Sequence, residues 1–317
     1  WAVLLALDQT KWFPLVLSAI LIWTTAKLLF WTPYYVDFSR YSDRGQRGRQ
    51  YSLIMAIHYL LGIAGPFVAG LLIAWSGYHV LYVVAIALQL VAIFPFLQLP
   101  PTQDTYSYTY RRTWRELVTR FPQSHTLQSY VAYGAESAVW VIIWPLIIFT
   151  LLDGDVVDMG IVASLVLLFS MILQLTLGKW VDTRFSKDTL LSISTPLYAM
   201  GWLVKLFVIT AIDVFFAGLY HQIVRAFSHT PYDTTNLDLT ADEGQYIDEY
   251  TILKEMALNI GRALMLVATL VFITYTSVTY TLVAAAFASL FLSYISRRDL
   301  ELDPKKLPAN RLSQPAL

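Results

Sequence analysis

The chain contains no cysteine, which excludes disulfides, thiolate metal sites and thiol nucleophiles while leaving its compartment open. Charge is scarce: Lys, Arg, Asp and Glu make up 14% of 317 residues, where a soluble domain carries about 25%. Neither sign is in excess, since 22 Lys+Arg face 22 Asp+Glu, and without a net positive field nucleic-acid binding is disfavoured. No His/Asp/Glu cluster stands at ligand spacing, so no metal site is expected. G-x-S-x-G and Walker-type phosphate loops are missing too, which argues against an enzyme and against ATP hydrolysis, and leaves no catalytic residue or cofactor to name. Sustained strand alternation is also lacking, and the apolar runs are far longer than a barrel strand.

What fills the chain is apolar surface: 57% of residues are hydrophobic and the mean hydropathy is +0.55. No core of this size could hide so much, so the excess must face lipid. The ten Trp suit two water–lipid interfaces and an aromatic-lined cavity. Nine segments have the length and composition of a bilayer span: 12–36, 53–75, 79–98, 127–151, 159–178, 190–211, 213–230, 251–274 and 278–296. Lipid offers the backbone no partner, so they are expected to be helices. An apolar stub, Trp1 to Leu7, begins in mid-hydrophobic register with no Met before it, as in a chain whose first spans precede it.

Of the 22 basic residues, 17 fall in alternate loops and the tail: Arg40, Arg44, Arg47 and Arg49; Arg111, Arg112, Arg115 and Arg120; Lys179, Arg184 and Lys187; Lys254; then Arg297, Arg298, Lys305, Lys306 and Arg311. The opposite loops hold only Lys11, and the 152–158 turn carries three Asp and no base. This asymmetry puts the C-terminus in the cytoplasm of a multi-pass protein of the plasma or cytoplasmic membrane.

The sequence also repeats. Thr32-Pro33-Tyr34 recurs 198 residues later as Thr230-Pro231-Tyr232, Lys27 maps onto Arg225 at the same offset, and Tyr51-Ser52 and Gly62 recur 199 residues later as Tyr250-Thr251 and Gly261. Duplicated halves are a common transporter design, with the substrate site near the midplane between them.

Three further stretches carry a resemblance to a known family. Gly178-Lys179-Trp180-Val181-Asp182-Thr183-Arg184, in a short basic loop, is similar to the second-half copy of a G-x-x-x-D-R motif, with Arg184 one place late. Pro33-Tyr34-Tyr35-Val36-Asp37, followed by Arg47-Gly48-Arg49, is similar to an acidic-plus-RG signature with a longer spacer. Gly65-Pro66-Phe67-Val68-Ala69-Gly70 is similar to the G-P-x-x-G-G stretch of exporters, with Ala for one Gly. In these the chain resembles the major facilitator superfamily. The resemblance implies an all-α membrane protein of two helical bundles with about nine complete spans and a partial one. Residues 1–99 would be an incomplete N-terminal bundle, 100–126 a cytoplasmic linker, 127–296 a six-helix C-terminal bundle and 297–317 a cytoplasmic tail. It implies a monomer in the lipid bilayer that moves a small-molecule substrate by alternating access, with proton-coupled efflux favoured. A sugar or nutrient importer, or a polytopic enzyme or scaffold without transport, is the alternative.

Ionisable groups inside spans are costly, at about 2.5–3.5 kcal/mol each on insertion scales, and therefore informative. Glu136 lies roughly 13 Å into its span at 1.5 Å per residue, where a carboxylate could exchange a proton, pair with a neighbouring Arg or be hydrogen-bonded in its protonated form. Lys27 and Arg225 would face the pathway, bind an anionic substrate, pair with Glu136 or form a structural bridge. His58 and His221 are proton-relay candidates or satisfied core histidines. Trp140 and Trp144, one turn apart above Glu136, either stack on substrate or pack. Lys205 is expected to snorkel toward Asp213, and Arg262 to bridge to Glu255. Gly178, Asp182, Arg184, Asp37, Arg47, Gly48, Gly65 and Pro66 are conformational-motif candidates, the last two also serving close packing and bending. Arg44, Arg47 and Arg49 could dock on Asp242, Glu243 or Asp248 of an acidic 233–255 loop. In the linker, Trp114, Leu117, Val118 and Phe121 form one face of a helix suited to anionic headgroups.

Overall fold

The computed structural model describes the backbone of residues 47–98, 109–184, 186–242 and 247–295, with Ser18, Ser42 and thirteen positions between 21 and 38. Side chains at 47–49, 51–52, 55, 96, 174–184 and 242 lie outside that description. The elements are α1 (Arg47–Phe96), α2 (Tyr110–Arg120), α3 (His125–Leu151), α4 (Val156–Arg184), α5 (Lys187–Phe207), α6 (Ala211–Asp242), α7 (Ile247–Tyr275) and α8 (Tyr280–Tyr294). Among the described residues there is no strand, and the chain is an all-α protein.

Among the described residues, five helical stretches are long and apolar enough to cross a membrane: Ala56–Pro95, His125–Leu151, Val156–Leu173, Lys187–Phe207 and Ile247–Tyr275. The difference from nine expected spans has local causes. The 53–75 and 79–98 segments are two helices, as expected, that meet at Gly77, whose φ of 75° only glycine adopts freely, and the stretch Ala56–Pro95 counts both as one. The 278–296 segment is represented by the shorter α8. The 213–230 segment belongs to α6, which carries Asp213, His221, Arg225, His229, Asp233 and Asp238 and is too polar for an ordinary lipid-facing helix. The 12–36 segment is helical at its described positions.

Two expected loops are largely helix. Gly178, Asp182 and Arg184 continue α4 rather than forming a basic loop, and Arg47 and Gly48 open α1. The acidic 233–255 stretch is divided between α6 and α7. Both helices gain by continuing, because each added residue satisfies backbone groups that a loop near lipid would leave exposed. The expected dock of Arg44, Arg47 and Arg49 on Asp242, Glu243 or Asp248 lies outside the described residues, because those arginine side chains do. Asp238 lies 3.7 Å from Lys187.

Helix starts follow side-chain capping. Ser124 accepts from the Leu127 amide at the head of α3, and Ser186 from Thr189 at the head of α5. At α6, Asp213 accepts from the Thr210 amide at 2.8 Å while Thr210 Oγ1 accepts from the Asp213 amide, a reciprocal capping box. Asp213 is therefore occupied as a cap and is not the partner of Lys205.

The helices pack through glycine. α3 and α7 run antiparallel and so close that a Cβ on Gly134 would strike the Leu258 carbonyl, and one on Gly261 the Val131 carbonyl. Between α1 and α4, Gly160 sits where a Cβ would come 2.6 Å from the Pro66 carbonyl, and Gly70 faces Val156 at 3.1 Å. Gly65 meets nothing within 4 Å among the described residues, so the close-packing role read into its stretch belongs to Gly70 and, against Leu167, to Gly62. Buried side chains such as Leu127, Tyr198, Trp202, Leu253 and Leu282 fill the space among α3, α5, α7 and α8. Leu264, Val267, Leu270 and Ile273 face outward from α7, as a lipid solvent requires.

Gly134→Ala and Gly261→Ala should each lower stability by about 1–3 kcal/mol through overpacking. Gly65→Ala should be neutral or slightly stabilising. Unfolding midpoints of the purified variants in one detergent check the order.

Candidate functional site

A cavity of about 790 Å³ opens between the N-terminal segment, α1, α3, α6 and α7. Its wall includes Trp31 and Tyr34, His58 and Tyr59 of α1, Tyr133 of α3, Arg225, His229, Tyr232 and Asp233 of α6, and Lys254 and Glu255 of α7. Its volume falls within the usual range for small-molecule sites, roughly 300–1,000 Å³. Tyr34 and Tyr232, which end the two Thr-Pro-Tyr copies, line the same space.

Connected to this wall is a buried polar cluster. Glu136 is 1% exposed, and Tyr198 Oη donates to its Oε1 at 2.5 Å. His229 Nε2 lies 3.8 Å from Oε2, beyond hydrogen-bond length but within ion-pair reach when protonated. The other His229 nitrogen, Nδ1, lies 3.2 Å from Ser228 Oγ. Arg225, expected as a partner for Glu136, places its guanidinium 5.1 Å from the Trp140 ring centre while reaching the cavity. Tyr133 closes the group, its ring 5.4 Å from that of His229 and 5.1 Å from that of Tyr232.

Next to Glu136 lies an aromatic chamber. The His221 ring is fully buried, edge-on to Tyr198 at 4.6 Å and to Trp202 at 4.4 Å. Lys205 is 2% exposed, and its ammonium lies 4.0 Å from the Trp202 ring centre, 4.4 Å from Trp144 and 4.8 Å from Trp140. No hydrogen-bond acceptor meets Lys205 Nζ among the described residues. Three indole faces replace part of its hydration. The expected snorkelling of Lys205 is thus overturned: the rotation of α5 points the chain inward, and Asp213 is already taken by Thr210. Trp140 and Trp144 take up the packing role, as walls of this chamber.

The chamber is built by a π turn. Over Val139–Ile143 the helix widens, and the Trp144 amide bonds to the Val139 carbonyl five residues back. Pro145 follows, lacking an amide and crowding the carbonyl four residues earlier, which explains why the regular ladder breaks there.

Other expected residues fall elsewhere. His58 is exposed and lines the cavity rather than the buried cluster. Arg262 donates to Ser137 Oγ at 3.3 Å and Asn259 Oδ1 at 2.9 Å, while Glu255 lies 3.9 Å from Lys254, so the Arg262–Glu255 bridge is replaced. Asp37 is half-buried on a helical segment, Gly65 and Pro66 lie on α1, and none of the three lines the cavity. Lys27 and the side chains of Arg47, Asp182 and Arg184 lie outside the described residues, as does any side-chain contact of Gly48 and Gly178.

Sequence reasoning missed Tyr198, His229 and the caged role of Lys205. A signal was present: Glu136, Trp140 and Trp144 repeat every fourth residue, as do His221, Arg225 and His229, and Tyr198, Trp202 and Lys205 follow a similar spacing. Such rows mark one helix face.

No family model matches this chain, and no curated protein matches it.

Tyr198→Phe should cost about 1.5–3 kcal/mol, the range for a hydrogen bond to a charged group, because Glu136 stays buried without its donor. Tyr220→Phe, which loses only a 3.1 Å bond to the Leu197 carbonyl, should cost about 0.5–1.5 kcal/mol. Denaturant unfolding of the two variants checks the difference.

Proposed function

We propose that this chain belongs to a secondary active transporter of the major facilitator type, moving a small molecule by alternating access. The observation that carries the reading is the cavity: both copies of the repeated Thr-Pro-Tyr motif contribute to its wall, and a buried carboxylate stands behind it. A site between duplicated halves can meet water on one side at a time when the halves rock. Glu136 is the coupling group in this reading. When it is charged, Tyr198 and His229 stabilise it, and when substrate or water reaches Arg225 and His229 its electrostatic surroundings change. A proton can then move between the Glu136 carboxylate and the cavity through the His229 imidazole. Export is the favoured direction, on the likeness of the Gly65–Gly70 stretch to exporters, with the C-terminus cytoplasmic on the loop charge.

Because the chain lacks cysteine, one introduced thiol reports access directly. Tyr59→Cys on the cavity wall should react with a membrane-impermeant maleimide in both right-side-out and inside-out vesicles, since the cavity opens to each side in turn. Adding Glu136→Gln should confine labelling to one orientation. Labelling of the Tyr59→Cys parent from a single side would refute alternating access.

A further inference from the structure

We infer that α2 is a membrane-surface anchor that binds anionic phospholipid headgroups. The inference is independent of whether the chain transports anything.

α2 has two apolar faces with different fates. Thr113 and Leu117 are buried in the contact with α7, Leu117 joining the core that includes Leu127 and Tyr250. Beside that seam Tyr110, Trp114, Val118 and Phe121, spaced four, four and three residues apart, stand 74%, 46%, 52% and 36% exposed. The helical face expected from sequence is therefore divided: Leu117 docks on protein, Tyr110 joins the open face, and Trp114, Val118 and Phe121 remain on it. At 100° per residue, Arg111 and Arg115 flank this open face on the side away from α7, and both are exposed.

The charge selects the occupant. The helix carries four Arg against one Glu, and that Glu116 is held by Arg120 at 2.6 Å. A face of Tyr, Trp, Val and Phe bordered by arginine suits the boundary between acyl chains and acidic headgroups. Its position is fixed by the short connection to α3. The Ser124 amide bonds to the Arg120 carbonyl at 2.9 Å, and Gln128 of the membrane helix donates to the Phe121 carbonyl at 3.2 Å. With α3 spanning lipid, the open face of α2 is held at the bilayer surface.

The cysteine-free chain again permits a direct test. An environment-sensitive fluorophore is attached at Val118→Cys in the full chain, in nanodiscs of phosphatidylcholine with or without phosphatidylglycerol. Anionic lipid should shift the emission to shorter wavelength, raised salt should reverse the shift, and Arg111→Gln with Arg115→Gln should remove the dependence on phosphatidylglycerol. The same probe at Thr119→Cys, on the opposite face, should remain water-like throughout. An unchanged Val118 signal in anionic lipid, an equal response at Thr119, or retention of the response in the double Gln variant would each overturn the anchor. Since Arg111 and Arg115 are exposed, an unfolding midpoint equal to the parent's is expected, and the salt titration tests the parent chain without either substitution.

Discussion

A carboxylate enclosed in an apolar helical bundle is tenable only where donors replace the water it has lost. Glu136 meets that condition with the Tyr198 hydroxyl at 2.5 Å and the His229 imidazole at ion-pair distance. Three helices must therefore hold one relative rotation: α3 for the acid, α5 for the phenol and α6 for the imidazole. Tyr198 also contacts His221, and Trp202 contacts both His221 and Lys205, so the constraint passes from the acid into the aromatic chamber. Loss of any one rotation would strand charge among apolar groups.

Close helix crossings make that arrangement possible. Gly134 and Gly261 bring α3 and α7 to backbone contact within one turn of Glu136, fixing the height and tilt of α3. The π turn over Val139–Ile143 then adjusts the phase of the same helix, so that Trp140 and Trp144 both reach the Lys205 ammonium. Packing and polar chemistry are two consequences of one geometry. The cavity side follows the same logic, since Arg225 lies between Trp140 and the open space and links the enclosed groups to whatever enters.

Much of the helical architecture was legible because its cause is local. Runs of apolar residues define α3, α4, α5 and α7. Legibility failed where polarity was read as loop. The charges after Pro231 and around Asp182 lie on helices, because continuing the backbone ladder outweighs the preference of those side chains for water at a bilayer surface. Glu136 was identified by its depth alone, but its partners stand 62 and 93 residues away in sequence, and no spacing rule joins Glu136 to Tyr198 and His229. Lys205 was placed on the wrong side of its helix, since a long aliphatic stem reaches either outward to water or inward to rings, and only the setting of α5 chooses.

By itself the sequence determined that this is a helical protein with segments long and apolar enough to cross a membrane, because hydropathy over some twenty residues and the backbone's need for internal partners are properties of each segment alone. Tertiary structure decided which ionisable groups share a space: that Arg225 faces Trp140 and a cavity, that His229 attends Glu136, and that Lys205 rests among three indoles. Those choices depend on helix rotation and crossing, set by small residues such as Gly134 and Gly261 acting at a distance, and a linear pattern does not encode the angle at which two faces meet.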